Sequence, residues 1–272
     1  MANNLAVARF RAGDLAEAME LYREAYRLAE RFGDGLGLRW SRGNMLFGWY
    51  FMGEWDEALR EADLFVRECE SSPHYLESNA LSTRANIRFG RGEVDAALED
   101  WSRSVERARD AKDPQALVPS LLMHAYGLSL LGRTENAGAL ADEALDIVAA
   151  QPRMAGVLGV IAGVFQDPDL RARILQVVQA QFGESSSRWT AAVHAAAHGD
   201  LQRAAELYAG MGAVSQAAGI RLHAARELIE SGRTAEAAEE LVRALEFFDS
   251  VRATLLIDRA RDLLARSQRA SA

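Results

Sequence analysis

The feature that most constrains the fold of this chain is a glycine followed, five positions later, by an alanine. The pair recurs six times along the 272 residues, and successive glycines are 40, 39, 40, 67 and 33 residues apart. The longest interval equals about two of the others, which predicts one further, degenerate unit between Gly132 and Gly199. The six pairs are Gly13 and Ala18, Gly53 and Ala58, Gly92 and Ala97, Gly132 and Ala137, Gly199 and Ala204, and Gly232 and Ala237.

Each unit has the chemistry of two helices joined by a tight turn. Glycine ends a helix well because it adopts the left-handed backbone conformation without a Cβ clash. An acidic residue such as Asp14 or Glu54 opens the next helix, where its charge suits the positive end of the helix dipole. The alanine is expected where two helices cross too closely for a larger side chain. Another small residue lies seven positions before each glycine, with Leu46 as the exception: Ala6, Ala85, Ala125, Ala192 and Ala225.

The composition favours the same structure. The chain contains 50 alanines and only five prolines, and alanine is the best helix former. No segment alternates apolar and polar residues with the period of two that is typical of a half-buried strand. The sequence therefore predicts an all-α protein.

The coupled small residues resemble the tetratricopeptide repeat, which carries them seven before and five after its turn glycine. Tyr22, Trp101 and Tyr208 also match the aromatic position nine residues after that glycine. The resemblance implies a right-handed α-solenoid of about seven helix hairpins. Units of 39 and 40 residues in the first half exceed the usual length of about 34, which predicts longer helices.

The expected layout is a single repeat domain over residues 1–272. Turns are predicted near residues 13, 53, 92, 132, 167, 199 and 232, and the degenerate unit is placed at about 151–184. Its turn is expected at Gln166-Asp167-Pro168-Asp169. A last amphipathic helix, from about 251 to 267, would cap the stack, as terminal helices do in solenoids.

Charge and apolar content exclude several classes of partner. A formal net charge of −8 argues against nucleic acid, whose binding proteins usually present a basic face. No segment reaches the roughly 20 apolar residues that cross a bilayer, so no membrane contact is expected. Cys69 is the single cysteine, which excludes an intrachain disulfide and predicts a reducing, cytoplasmic location. No phosphate-binding loop is present, and we expect no cofactor.

The concave groove is the candidate binding site. In tetratricopeptide arrays the first helix of each hairpin faces this groove, through positions ten, six and three before the glycine. Here those positions hold aromatic rings and one amide, which would suit an extended peptide or a helix. Alternatively, the rings pack between neighbouring helices. The residues expected to contact a partner are Val7, Phe10, Phe47, Tyr50, Asn86, Phe89 and Tyr126.

An unusually aromatic cluster lies in the second unit. Trp40, Phe47 and Phe51 share one helical stripe, which is typical of core packing. The alternative is an exposed contact with an upstream domain. The cluster comprises Trp40, Trp49, Tyr50, Phe51 and Trp55.

His194 and His198 are four residues apart, a spacing at which two imidazoles on one helix can bind zinc. Three alanines separate them, with no glutamate to act as a base, and no cysteine or third histidine lies at metal spacing. We therefore predict no metal site, and a metal-dependent enzyme that uses this pair is the less favoured alternative.

The tail carries a second resemblance, over Ala244-Leu245-Glu246-Phe247-Phe248-Asp249-Ser250-Val251-Arg252-Ala253-Thr254 and Leu263-Leu264-Ala265. It resembles the carboxyl end of bacterial signalling proteins that join a class III adenylate or guanylate cyclase domain, an ATPase domain and a tetratricopeptide-like region. ATPase regulators of the LuxR type share such a region. In this family a glycine usually stands where this chain has Arg252. The resemblance implies upstream cyclase or ATPase domains.

These features together predict a non-catalytic interaction or sensor module that binds a protein or peptide in its groove. It would be the regulatory carboxyl-terminal part of a bacterial signalling protein. The alternatives are a free-standing adaptor and a scaffold that forms a homodimer through its apolar stripe.

Overall fold

The computed structural model describes residues 2–151, 167–182 and 187–270. These ranges contain fourteen helices and no strand, so the prediction of an all-α fold is confirmed. Each helix packs mainly on its neighbours along the chain, as in a solenoid of helix hairpins. The helices are α1 (Ala2–Ala12), α2 (Leu15–Phe32), α3 (Gly35–Phe51), α4 (Trp55–Ser71), α5 (Glu77–Gly90), α6 (Val94–Ala111), α7 (Pro114–Leu130), α8 (Thr134–Ala150), α9 (Pro168–Phe182), α10 (Arg188–Ala197), α11 (Leu201–Gly210), α12 (Val214–Glu230), α13 (Thr234–Ser250) and α14 (Thr254–Ala270).

The repeated glycines and alanines have the roles that the sequence predicts. All six turn glycines are left-handed, with φ between +75° at Gly132 and +88° at Gly13. The alanines five positions later are at most 2% exposed, and the residues seven positions before the glycines, Leu46 included, are 0% exposed. The pattern therefore marks the closest contact between the two helices of each hairpin.

One further turn of this type, at Gly212 between α11 and α12, was missed by the sequence analysis. Gly212 has φ +81°, and Ala205 and Ala217 lie buried seven positions before and five after it. It follows Gly199 by only 13 residues, because α11 has ten residues. The same turn chemistry thus also joins one hairpin to the next.

The degenerate unit is described in part. Helix α9 begins at Pro168, inside the expected turn, and the Asp167 carboxylate accepts hydrogen bonds from the backbone N–H groups of Asp169 and Leu170 at 2.9 and 3.1 Å. The rest of the predicted turn and unit, at 152–166 and 183–184, lies outside the described residues. The expected capping helix corresponds to α14, which packs on α12 and α13.

Helices α10–α14 pack across the turns of the first hairpins, a contact we call the closing interface. At the turn of the first hairpin, the Trp189 indole N–H donates to the Phe10 carbonyl at 2.8 Å. In the second hairpin, the Trp55 indole N–H donates to Ser215 Oγ at 3.0 Å. The Thr254 hydroxyl donates to the Arg91 carbonyl, beside the third turn, at 2.7 Å. The chain therefore folds back onto its own beginning.

The first turn glycine is required at the closing interface for two reasons. Besides its left-handed φ, a Cβ at Gly13 would lie 2.7 Å from Met211 Sδ and 2.9 Å from Arg188 Cβ. Those distances are well below van der Waals contact, so only a residue without a side chain lets α10 and α11 approach this closely.

Cys69 and the apolar content of the helices are the features from which the sequence predicts a reducing location and no membrane contact. Cys69 is buried and accepts a hydrogen bond from the Arg39 guanidinium at 3.2 Å, and burial raises the pKa of its thiol. In the part of the chain that the structure describes, no helix combines the length and apolar character needed to cross a bilayer.

Candidate functional site

The candidate site is a cavity of about 790 Å³ inside the first four hairpins. It is lined by α1, α2, α3 and the amino-terminal parts of α5 and α7, so that most of it is formed by the first helices of the hairpins, which face the concave groove in tetratricopeptide arrays. Its volume is within the range of about 300–1,000 Å³ that is usual for ligand pockets.

The floor of the cavity is aromatic. The rings of Phe10 and Phe47 lie 5.9 and 6.0 Å from the ring of Phe51, and Val7 and Met123 complete the apolar surface. Trp189 of α10 contacts the rings of Phe10 and Phe51 at 5.9 and 5.7 Å. The closing interface therefore holds this floor in place.

The walls of the cavity carry side-chain amides. Asn44 on α3 donates to Asn3 Oδ1 on α1 at 3.4 Å, a long hydrogen bond. Asn4, Asn79 and Gln115 add three more amides to the lining. Each amide offers both donors and an acceptor, which is the complement of a peptide backbone.

Arg11 supplies a positive charge to the lining. Its Nη2 donates to Gln115 Oε1 at 3.0 Å, which joins α1 to α7 across the groove. Its neighbour Arg9 lies 3.1 Å from Glu17, whereas Arg11 has no carboxylate within 4.0 Å in the described ranges. Arg11 is thus held by a neutral group.

The charge of Arg11 opposes the rise in pKa of two tyrosines that line the cavity. Burial raises the pKa of Tyr22, and the Arg11 charge opposes that rise. Burial also raises the pKa of Tyr75 to about 12, helped by the charge of Asp113 and by a hydrogen bond to it, and again opposed by Arg11. The guanidinium therefore acts on groups in the cavity although it is itself exposed.

The mouth of the cavity has an apolar rim. Phe32 and Leu28 at the end of α2 line the cavity and are 75% and 41% exposed, and Leu36, which is 63% exposed, directly precedes the lining residue Gly37. The Trp40 ring packs on Tyr75 at 5.3 Å and is only partly buried. In contrast, Trp49, Phe51 and Trp55 of the aromatic cluster are buried.

Three of the seven predicted partner contacts, Val7, Phe10 and Phe47, line the cavity. The rings of Tyr50, Phe89 and Tyr126 lie outside its lining. Tyr50 stacks on Trp55 at 5.6 Å, and burial raises the pKa of its hydroxyl. The Arg259 guanidinium lies 5.8 Å above the Phe89 ring, and burial raises the pKa of Tyr126 to about 12.

Asn86, the seventh predicted contact, is 6% exposed and lies outside the cavity. Its Oδ1 accepts a hydrogen bond from the Trp101 indole N–H at 3.0 Å, and its Nδ2 donates to Met123 Sδ at 3.2 Å. Both ends of the amide are therefore used within the chain. Asn86 and the rings of Tyr50, Phe89 and Tyr126 therefore pack between neighbouring helices, which was the alternative to contact with a partner.

The sequence analysis missed most of the lining because the stripe that faces the cavity is rotated from the expected one. Position six before the glycine lines the cavity in the first two units, and positions ten and three do so only in the first, through Asn3 and Phe10. Elsewhere on the first helices the lining lies mostly thirteen, nine and two before the glycine. An asparagine nine before the glycine in each of the first two units was the available signal. The residues missed at these three positions are Trp40, Asn79 and Pro119 at thirteen, Asn4, Asn44 and Met123 at nine, and Arg11 and Phe51 at two.

His194, on α10, and His198, directly after the end of α10, lie outside this site. Their rings are 6.2 Å apart, and His198 Nδ1 is 2.8 Å from the His194 carbonyl oxygen. The described residues contain no group of three or more His, Cys, Asp or Glu side chains placed to hold a metal ion.

Comparison with known proteins identifies the fold but no family. No family model matches the chain, and no curated protein does. One similar solved structure is that of a Rap protein complexed with competence and sporulation factor. It matches with a TM-score of 0.52 and 12% identity, covering 99% of this chain and 74% of that one. At this identity the likeness shows a tetratricopeptide-like helical repeat, and the resemblance of the tail has no counterpart in these comparisons.

Proposed function

We propose that this chain is a non-catalytic helical-repeat module that binds a short peptide in the cavity of its first four hairpins. The observation that carries the proposal is an aromatic floor walled by side-chain amides, on the concave side of the stack. Apolar peptide side chains would pack on Phe10, Phe47 and Phe51, while Asn3, Asn44 and their neighbours would bond the backbone.

Two further observations support a peptide. The cavity is large enough for several residues but encloses far less surface than a folded protein would bury. The similar solved structure is a complex of its repeat protein with competence and sporulation factor. Of the predicted contacts, we propose Val7, Phe10 and Phe47 as the ones that touch the peptide.

The test is affinity selection from a pool of random hexapeptides, read by mass spectrometry. The variant Val7→Trp fills the cavity, and Val242→Trp, at a site on α13 that is 49% exposed, is the matched control. We expect the unmodified protein and the control to retain peptides and the cavity variant to lose them. Equal retention by all three, or retention by none, would contradict the proposal.

We also propose that the module is the regulatory carboxyl-terminal part of a bacterial signalling protein with cyclase or ATPase domains. The tail resemblance suggests this context, and Arg252 supports it with a φ of +58° where the family usually carries glycine. The DNA upstream of the Met1 codon provides the test. An open frame with such domains is expected, and a stop codon would instead indicate a free-standing adaptor.

A dimerising scaffold is the second candidate function, favoured by the apolar rim of Leu28, Phe32 and Leu36. It predicts a concentration-dependent dimer in light scattering that Phe32→Glu converts to a monomer. A monomer at all concentrations would remove this candidate and leave peptide binding untouched.

A further inference from the structure

We infer that the cavity recognises the free carboxyl terminus of its peptide, with Arg11 as the residue that binds the carboxylate. This inference rests on the proposed function and specifies the ligand: a short peptide with an unmodified carboxyl end and an apolar last side chain. Arg11 was not among the contacts predicted from the sequence.

The first argument concerns the partners of the Arg11 guanidinium. Arginine carries about five N–H donors in a planar fork that fits a carboxylate with two parallel hydrogen bonds. Gln115 Oε1 accepts from one of the two terminal nitrogens, at 3.0 Å, and is neutral. In the described part of the chain no carboxylate pairs with Arg11, in contrast to Arg9 on the same helix, which pairs with Glu17.

The acidic groups nearby are already engaged. Asp34, which lines the cavity, accepts a hydrogen bond from the Gly37 backbone N–H at 2.9 Å. Asp113 accepts from the Gln115 backbone N–H at 2.8 Å and from the Tyr75 hydroxyl. Each of these carboxylates caps the start of a helix, so the positive charge of Arg11 is left for a ligand.

The position of Arg11 favours a chain end over an acidic side chain. Arg11 lies one turn of α1 after Val7, on the same face of the helix, and both residues line the cavity. In a terminal residue the carboxylate and the side chain leave the same Cα, so one residue can reach the guanidinium and the floor together. The amide of Gln115 then lies beside the last peptide bond.

The experiment uses three acetylated hexapeptide pools with the full chain. The first has free carboxyl ends and omits Asp and Glu, the second is the same pool with amidated ends, and the third is amidated but contains Asp and Glu. We expect the protein to retain the first pool at least about tenfold better than the second and third, as loss of a charged hydrogen-bonding pair implies.

Two variants on one helix assign the effect. Arg11→Gln should reduce retention of the free-acid pool to the level of the amidated pool, whereas Arg9→Gln should leave it unchanged, because Arg9 does not line the cavity. Equal retention of the first two pools, lost in Val7→Trp, would overturn this inference and keep the proposed function. Arginine-dependent preference for the third pool would assign Arg11 to an acidic side chain and also overturn it. Retention of no pool would end both.

Discussion

Helices α1 and α3 face two environments along their length, the closing interface and the cavity that we propose as the binding site. At the closing interface, their last turns meet residues far away in sequence: Trp189 bonds the Phe10 carbonyl, and Ser215 donates to the Tyr50 carbonyl at 2.5 Å. In the cavity, Asn44 of α3 bonds Asn3 of α1, and the hydrogen bond is long, at 3.4 Å. Substitutions at the first place should therefore change stability, and those at the second should change binding.

The largest effect is expected for Trp189→Ala at the closing interface. Trp189 is 1% exposed, so its truncation should lower the free energy of unfolding by about 3–5 kcal/mol, which denaturant titration will measure. Trp40→Ala at the mouth of the cavity, where the ring is partly buried, should lower it by less than about half as much. Equal losses would show that the two places do not differ in this way.

A smaller loss is expected for Asn86→Leu. The substitution leaves the buried Trp101 indole N–H without its acceptor, which should lower the free energy of unfolding by about 1–3 kcal/mol. Asn79→Leu is the matched control on α5, because Asn79 is partly exposed and lines the cavity. Thermal melts of both variants decide whether Asn86 serves packing; a melt unchanged by Asn86→Leu would speak against it.

The next effect is a difference in stability between two substitutions of one residue, Arg252, at the closing interface. Arg252 holds the left-handed conformation and pairs with Asp56, both side chains being exposed. Arg252→Gly should be more stable than Arg252→Ala by about 1 kcal/mol, since both lose the ion pair but only alanine keeps the strain. If the two variants melt at the same temperature, the turn is not strained.

The smallest change in stability is expected for Asn44→Ala. Its amide is partly exposed and makes one long hydrogen bond, so the free energy of unfolding should change by less than about 0.5 kcal/mol. Retention of hexapeptides by this variant should fall by about three- to tenfold, the effect of one lost hydrogen bond. A stable variant with full retention would remove Asn44 from the site.

The parts of the fold that depend on local chemistry were predictable from the sequence. A left-handed φ at Gly53 and a close helix crossing at Ala58 each impose a requirement on one residue, and the repeats display it six times. The closing interface was not predictable in this way. Its contacts, such as that between Trp55 and Ser215, join residues 160 apart and leave no periodic trace.

The site was predictable only in part, for a geometric reason. Which stripe of a first helix faces the cavity depends on how successive hairpins rotate, and a rotation of one residue replaces Gly43 by Asn44 or Tyr50 by Phe51. Phe47 was identified because position six is shared by both stripes. Arg11 was missed because it lies outside the expected stripe and because its hydrogen bond to Gln115 joins residues 104 apart.

The closing interface also affects how the chain can reach its native state. An open solenoid grows from any nucleus by adding neighbouring repeats, and it can fray from its ends. Here Phe10 must meet Trp189, 179 residues later, before the first hairpin gains its last contacts. Such non-local pairing raises the contact order, which slows folding. The two ends of this array should therefore form late and melt together, as one cooperative unit.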